Sequence, residues 1–283
     1  MAYVNPDALV STDWLAEHLH SPDVRVVDAT YFLLGMGRDA RSEYEQRHIP
    51  GAVFFDIDEI CDPDSRLPHM LPSAERFAGQ VGRLGLGDGD RIVAYDAHGL
   101  VTAARAWWMF RVFGHDDVAV LDGGLPKWLQ EGRPVDDVPP TPPERRFTPR
   151  FNASFVRNFN QMLQNINSTR EQVIDTRPAG RFNATDPEPR EGLRGGHIPG
   201  SVNVPFSELV DPATHTMLPT DALVDRFAKA GVDTDRPMVT TCGSGVTAAL
   251  VALGLYLLGH EQVAVYDGSW SEWGARDEAP IER

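Results

Sequence analysis

The chain carries one plan written twice, and this limits what it can fold into more than any other feature. Set against itself at a shift of 145 to 149 residues, Val26-Val27-Asp28-Ala29 answers Val173-Ile174-Asp175-Thr176, and His48-Ile49-Pro50-Gly51-Ala52 answers His197-Ile198-Pro199-Gly200-Ser201. Met70-Leu71-Pro72 answers Met217-Leu218-Pro219, Phe113-Gly114-His115 answers Leu258-Gly259-His260, and Val120-Leu121-Asp122-Gly123-Gly124 answers Val265-Tyr266-Asp267-Gly268-Ser269. Matches that keep the same order along the chain mark a repeated supersecondary unit. Between the copies, the stretch Arg133 to Glu144 contains five prolines. Proline lacks the N–H that a helix interior or central strand requires, so this stretch reads as an extended linker. The division is an N-terminal domain over 1–133, a Pro-rich linker over 134–150 and a C-terminal domain over 151–283.

Within each copy, short β-branched runs alternate with helical patterns. Arg91-Ile92-Val93-Ala94-Tyr95 and Val118-Ala119-Val120-Leu121 read as strands, whereas Ala74 to Leu84 and Thr220 to Ala230 read as helices. Such alternation predicts an α/β fold, each domain an open, mostly parallel sheet flanked by helices, with sites at the carboxyl ends of the strands.

Two cores are feasible because 42% of the 283 residues are hydrophobic. A net charge of −15 disfavours nucleic acid and anionic membrane surfaces, while leaving room for a local cationic pocket. The two cysteines, Cys61 and Cys242, have no CxxC spacing and no paired histidines nearby, so neither a disulfide framework nor a zinc site is expected. Met1 to Ser11 lacks the pattern of a secretory signal, and the apolar run Val246 to Leu258 is too short to span a bilayer. The expectation is a cytoplasmic protein with no metal.

Chemistry concentrates at Cys242-Gly243-Ser244-Gly245-Val246-Thr247, between the strand-like Met238-Val239-Thr240-Thr241 and the helix-like run from Ala248 to Leu253. A strand-to-helix loop gathers backbone N–H groups at a helix N-terminus, where a thiolate is favoured. Lowering a thiol's pKa by two units corresponds to about 2.7 kcal/mol, within reach of four or five inward-pointing amides. The competing reading is a small buried hydrophobe, the commoner fate of a lone cysteine. The glycines after Cys242 favour the reactive reading, since they let backbone wrap an anion. In the first copy Asp96 stands where Cys242 stands in the second, so the N-terminal domain lacks the nucleophile. Cys61 lies in the acidic run Asp56 to Asp64, which disfavours a thiolate, and reads as structural.

With the repeat and this loop, two further stretches carry a resemblance over essentially the whole length: Tyr44-Glu45-Gln46-Arg47-His48-Ile49-Pro50-Gly51-Ala52-Val53-Phe54-Phe55 and Val263-Ala264-Val265-Tyr266-Asp267-Gly268-Ser269-Trp270-Ser271-Glu272-Trp273. The chain resembles the tandem-domain rhodanese sulfurtransferases. In both stretches His48, Pro50, Gly51, Trp270 and Trp273 read as fold determinants rather than chemistry. Thiosulfate-preferring members resemble Cys-Arg-Lys-Gly-Val-Thr, with two cations for a divalent anion. Here those positions are Gly243 and Ser244, and the loop is similar to that of the 3-mercaptopyruvate sulfurtransferases.

That resemblance implies sulfur transfer from 3-mercaptopyruvate through a Cys242 persulfide, with no cofactor. The acceptor would be a thiol, thioredoxin being one candidate, or cyanide. It further implies that Arg181 and Arg190, read as loop residues, bind the substrate's carboxylate and keto oxygens beside the loop residues Gly243, Gly245, Val246 and Thr247. Forked guanidinium donors suit that task, although pairing with Asp186 or Glu188 is the ordinary fate of such arginines. Finally it implies a relay in which His69, oriented by Asp58, polarises the Ser244 hydroxyl, so that the site spans both domains. The rivals are a thiosulfate:cyanide sulfurtransferase, a non-catalytic sulfur carrier, and a phosphatase or arsenate reductase. The last is disfavoured by Ala248, where those enzymes place an arginine.

Overall fold

A computed structural model describes residues 2–33 and 35–283; Met1, the first residue of the expected N-terminal domain, and Leu34 lie outside them. The first copy contributes the strands β1 (Leu9–Val10), β2 (Val24–Asp28), β3 (Val53–Phe54), β4 (Arg91–Tyr95) and β5 (Val118–Leu121). The second contributes β6 (Val156–Arg157), β7 (Gln172–Asp175), β8 (Val202–Asn203), β9 (Met238–Thr241) and β10 (Val263–Tyr266). The sheets run β1-β5-β4-β2-β3 and β6-β10-β9-β7-β8, the same order twice, and every pairing is parallel. Crossover helices cover both faces, which is why β5, β9 and β10 are buried along their whole length; β5 and β10 read as continuous apolar runs, and β9 ends in the buried Thr240-Thr241.

The two helices that follow the loops at Asp96 and Cys242, Ala103–Val112 and Ala248–Leu257, pack against each other where the domains meet. Ala248–Leu257 is apolar around its circumference, and Ala103–Val112 is too except for Arg105 and Arg111; both are buried on nearly all sides. Trp107 meets Tyr256 at 5.4 Å between ring centroids, with the Arg111 guanidinium 4.0 Å from the same tyrosine ring. One hydrophobic cluster therefore runs through both copies, from Phe77 and Phe110 to Leu250 and Val265.

The repeat also closes the interface reciprocally. Asp267, after β10, accepts the N–H of Leu71 at 2.8 Å, and Asp122, after β5, accepts the N–H of Met217 at 2.8 Å. Each Asp-Gly corner thus holds the other copy's Met-Leu-Pro arm. The two corners differ electrically. Asp267 faces the Arg105 guanidinium at 2.8 Å, whereas at Asp122 burial outweighs the Met217 N–H and the charge of Lys127 and raises the carboxyl from 3.8 to about 6.

The folded state therefore keeps a proton on Asp122 that the unfolded chain releases. Its contribution is fully favourable below pH 3.8, declines as pH rises to about 6 and is flat above. Asp122→Asn keeps an oxygen for the Met217 N–H and removes this loss. Its Tm is expected to fall less than the parent's between about pH 4 and pH 6. Part of the slope remains, since burial also raises Asp28 to about 6. Thermal melts across that range check the prediction, and an unaltered slope contradicts it.

Candidate active site

Cys242 sits at the carboxyl end of β9, one turn before the helix Ala248–Leu257, and is 2% exposed. Its N–H donates to Ser269 Oγ at 3.2 Å, and its carbonyl accepts the Trp270 N–H at 3.0 Å. The Gly243 carbonyl accepts both the N–H and the hydroxyl of Ser271, at 2.8 and 2.6 Å. The stretch read as a fold signature is thus the floor that pins the loop. Gly245 has φ +80°, and a Cβ there would lie 2.8 Å from the Asp267 carbonyl oxygen, so glycine is required on both counts.

The sulfur accepts one amide, Gly245 N–H at 3.1 Å, where the sequence predicts four or five. The N-terminal copy shows four. Asp96, fully buried, accepts N–H groups of His98, Gly99, Thr102 and Ala103 at 2.7, 2.8, 2.5 and 2.7 Å. The difference is one of reach: a carboxylate oxygen lies one atom farther from Cβ than a cysteine sulfur does.

Cys242 opens onto a cavity of about 360 Å³ whose walls include Tyr31, Arg181, Arg190, Phe206, Ser244 and Thr247, so both copies contribute. A crevice of about 410 Å³ occupies the answering edge of the first sheet, but it presents Asp28, Glu43 and Arg47 and no thiol. Arg181 lies on the one-turn helix Ala179–Phe182, not on the expected loop; four residues are too few to display helical periodicity. It is paired with Glu188, which accepts its Nε and Nη2 at 3.1 and 2.5 Å. Glu188 also accepts Arg177 Nη1 at 2.8 Å; Arg177 is held in turn by Asp175 and lies 4.0 Å from the Trp270 ring. Arg190 makes no ion pair among the described residues. Both arginines converge on the loop. A Cβ built on Gly243 would lie 3.3 Å from Arg181 Nη2 and 3.9 Å from Arg190 Nη1.

His69 Nδ1 stands 2.9 Å from Asp58 Oδ1, at hydrogen-bond distance but without hydrogen-bond alignment, and its Nε2 is buried with no partner. Interaction with His69, and then the charges of His69 and Arg190, hold the Asp58 carboxyl below its usual range against partial burial. Ser244 is 6% exposed and makes no hydrogen bond to the His69 ring among the described residues. The Tyr31 ring meets His69 edge-on at 4.7 Å, which brings the histidine to the border of the cavity. Cys61 stands apart: its thiol donates to the Asp58 carbonyl at 3.0 Å, and burial followed by the Asp58 charge raises its pKa.

The sequence reading did not find Ser269, Ser271, Asp267 or Arg105 as supports of the loop. One signal was available for Arg105, a single charge inside Ala103-Ala104-Arg105-Ala106-Trp107-Trp108-Met109-Phe110. A charge in such a run is buried only when it is paired.

Comparison with known proteins gives this geometry its context. The model of the rhodanese-like domain matches twice, over residues 11–131 and 158–276. The chain belongs to the rhodanese family. Among curated rhodanese relatives, the human 3-mercaptopyruvate sulfurtransferase is 46% identical over 275 residues, spanning 95% of this chain and 92% of that protein. A chicken thiosulfate sulfurtransferase is 45% identical over 272 residues, spanning 94% and 93%. The crystal structure of SseA from Escherichia coli, described as a 3-mercaptopyruvate sulfotransferase with the rhodanese fold, superposes with a TM-score of 0.86 at 42% identity, covering 94% of this chain and 99% of that one. Rhodanese relatives of both donor types are thus about equally similar, and the loop must distinguish them. Among the described residues no helix is long and apolar enough to cross a membrane. No group of three or more His, Cys, Asp or Glu side chains among them is placed to share a metal ion.

Proposed function

We propose that the chain transfers sulfur from 3-mercaptopyruvate to a thiol or cyanide acceptor through a persulfide on Cys242, releasing pyruvate. The observation that carries this reading is the convergence of Arg181 and Arg190 over Gly243, beside a nucleophile whose own loop bears no cation. A substrate with one carboxylate and an adjacent keto oxygen fits two forked donors. A divalent thiosulfate would find less charge here, because Glu188 already takes up part of Arg181.

In the first half-reaction the Cys242 thiolate attacks the substrate's thiol sulfur. The S–S bond forms, the C–S bond breaks, and its electron pair passes into the pyruvate enolate, whose oxygens Arg181 and Arg190 hold. The proton of the substrate thiol is handed through Ser244 and His69, steadied by Asp58, and ends on the enolate carbon. The products are pyruvate and an anionic persulfide. Its outer sulfur lies one atom beyond Sγ, the reach at which Asp96 oxygens collect four amides in the other copy, so the inert domain displays the charge distribution that the active loop would stabilise. The N-terminal domain is then a structural partner that lends Tyr31, Asp58 and His69 to the site.

In the second half-reaction an acceptor thiol, thioredoxin among them, or cyanide takes the outer sulfur and restores the Cys242 thiolate. Both cysteines are free, which suits a reducing compartment such as the cytoplasm. Steady-state turnover with each donor against a common acceptor tests the assignment. The kcat/KM for 3-mercaptopyruvate is expected to exceed that for thiosulfate by at least about tenfold, the worth of one charge-assisted hydrogen bond. A ratio near or below unity would make thiosulfate the donor.

A further inference from the structure

We propose that Arg105 is a positioning residue of the sulfur-transfer site, holding the His69 segment of one domain against the Ser244-Gly245 segment of the other. Its side chain is fully buried on the helix Ala103–Val112. One guanidinium makes three connections: Nη2 donates to the His69 carbonyl at 2.5 Å, Nη1 donates to the Gly245 carbonyl at 3.1 Å, and Nη1 faces Asp267 Oδ1 at 2.8 Å. The Trp108 ring lies 4.4 Å from the guanidinium carbon, and Asp267 Oδ2 accepts the Leu71 N–H at 2.8 Å. The fork thus ties the backbone of the histidine to the residue that follows Ser244.

The tie reaches a constrained stretch of backbone at His69. Its φ is +60°, a left-handed conformation that costs a non-glycine residue about 1 kcal/mol or more and persists only where neighbours enforce it. His215 takes the same conformation in the other copy, φ +59°, with no donor on its carbonyl among the described residues, so the guanidinium does not set the turn; it fixes where the His69 segment sits against the loop.

The repeat supplies a control that separates positioning from simple domain clasping. At the other corner Asp122 holds the Met217 N–H as Asp267 holds that of Leu71, yet the residue answering Arg105 at the same shift of 145 is Leu250. The clasp is therefore made on the inert side with no arginine. Among the described residues the guanidinium stands beneath the Cys242 loop and has no counterpart beneath the Asp96 loop.

This inference rests on the proposed relay, and its test exploits a chemical difference between donors. Mercaptopyruvate brings a thiol proton that must move, whereas thiosulfate brings none. Arg105→Lys keeps a buried cation but has no fork to span three acceptors, and Asp267→Asn removes the charge partner while keeping an oxygen for Leu71. In both variants the ratio of mercaptopyruvate kcat to thiosulfate kcat is expected to fall about tenfold to a hundredfold, the scale of loss from misplacing a catalytic group by about an ångström. The KM for mercaptopyruvate is expected to stay within about twofold, because Arg181 and Arg190 are not displaced. His69→Gln measured alongside is expected to show the same fall in ratio. If the His69 variant shows it and neither other variant does, the positioning role of Arg105 is overturned and the relay stands. If all three lower both donors in parallel, or none changes the ratio, the relay is overturned and the role of Arg105 with it.

Discussion

Cys242→Ser is expected to lower sulfur transfer from either donor by at least about a thousandfold, while Tm moves by no more than a few degrees. The fold is spared because serine replaces one atom at a site already lined with polar partners: the Gly245 N–H meets an oxygen instead of a sulfur, and the backbone bonds to Ser269 and Trp270 are untouched. The chemistry is lost because an alkoxide is inaccessible near neutral pH and an oxygen cannot carry the outer sulfur to an acceptor. Nothing else in the cavity substitutes. Cys61 is the remaining thiol, and burial and the Asp58 charge push its pKa upward, the wrong direction for a nucleophile. Initial rates with mercaptopyruvate and cyanide, beside a thermal melt, check both halves of the expectation.

Arg190→Ala is expected to reduce kcat/KM for mercaptopyruvate roughly ten- to a hundredfold, with the larger share in KM. The scale follows from removing a hydrogen bond to a charged group, worth about 1.5–3 kcal/mol, at about 1.4 kcal/mol per tenfold. Stability should hardly change, since Arg190 makes no ion pair among the described residues. Arg181→Ala makes an instructive contrast. It removes one of two guanidinium partners from Glu188, whose side chain is 2% exposed, so it should lower Tm as well as raise KM. Equal KM values in Arg190→Ala and the parent would remove that arginine from the substrate site.

Much of the fold was legible because the repeat fixed the comparison and the parallel strands are short runs rich in buried apolar and β-branched residues. The bounds of β4, β5 and β9 agree with the runs Arg91 to Tyr95, Val118 to Leu121 and Met238 to Thr241. The helices Ala74–Arg83 and Thr220–Lys229 each end one residue before the sequence reading placed them. The place of the cysteine loop was legible too, since Cys242 stands between a strand ending at Thr241 and a helix beginning at Ala248, as the flanking residues predict. What the sequence hid is non-local. Arg105 and Asp267 stand 162 positions apart yet share an ion pair, and no spacing rule brings them together. Glu188 was named only as a competitor for the arginines. In the structure it does pair with Arg181 while the guanidinium still reaches the loop, so structural pairing and a place at the loop coexist in one side chain. One amide meets the sulfur rather than four or five because a sulfur bonded directly to Cβ does not extend as far into its loop as the Asp96 oxygens do into theirs.

The reading as a whole turns on Cys242 receiving the donor's sulfur. Mixing the protein with 3-mercaptopyruvate in the absence of acceptor, then measuring intact mass and mapping the adduct by peptide, tests this most directly. The expected result is a gain of one sulfur atom per chain, located on Cys242, matched by one equivalent of pyruvate and removed by cyanide as thiocyanate. Pyruvate released with Cys242 unmodified, or the added sulfur found on Cys61 instead, would contradict the account.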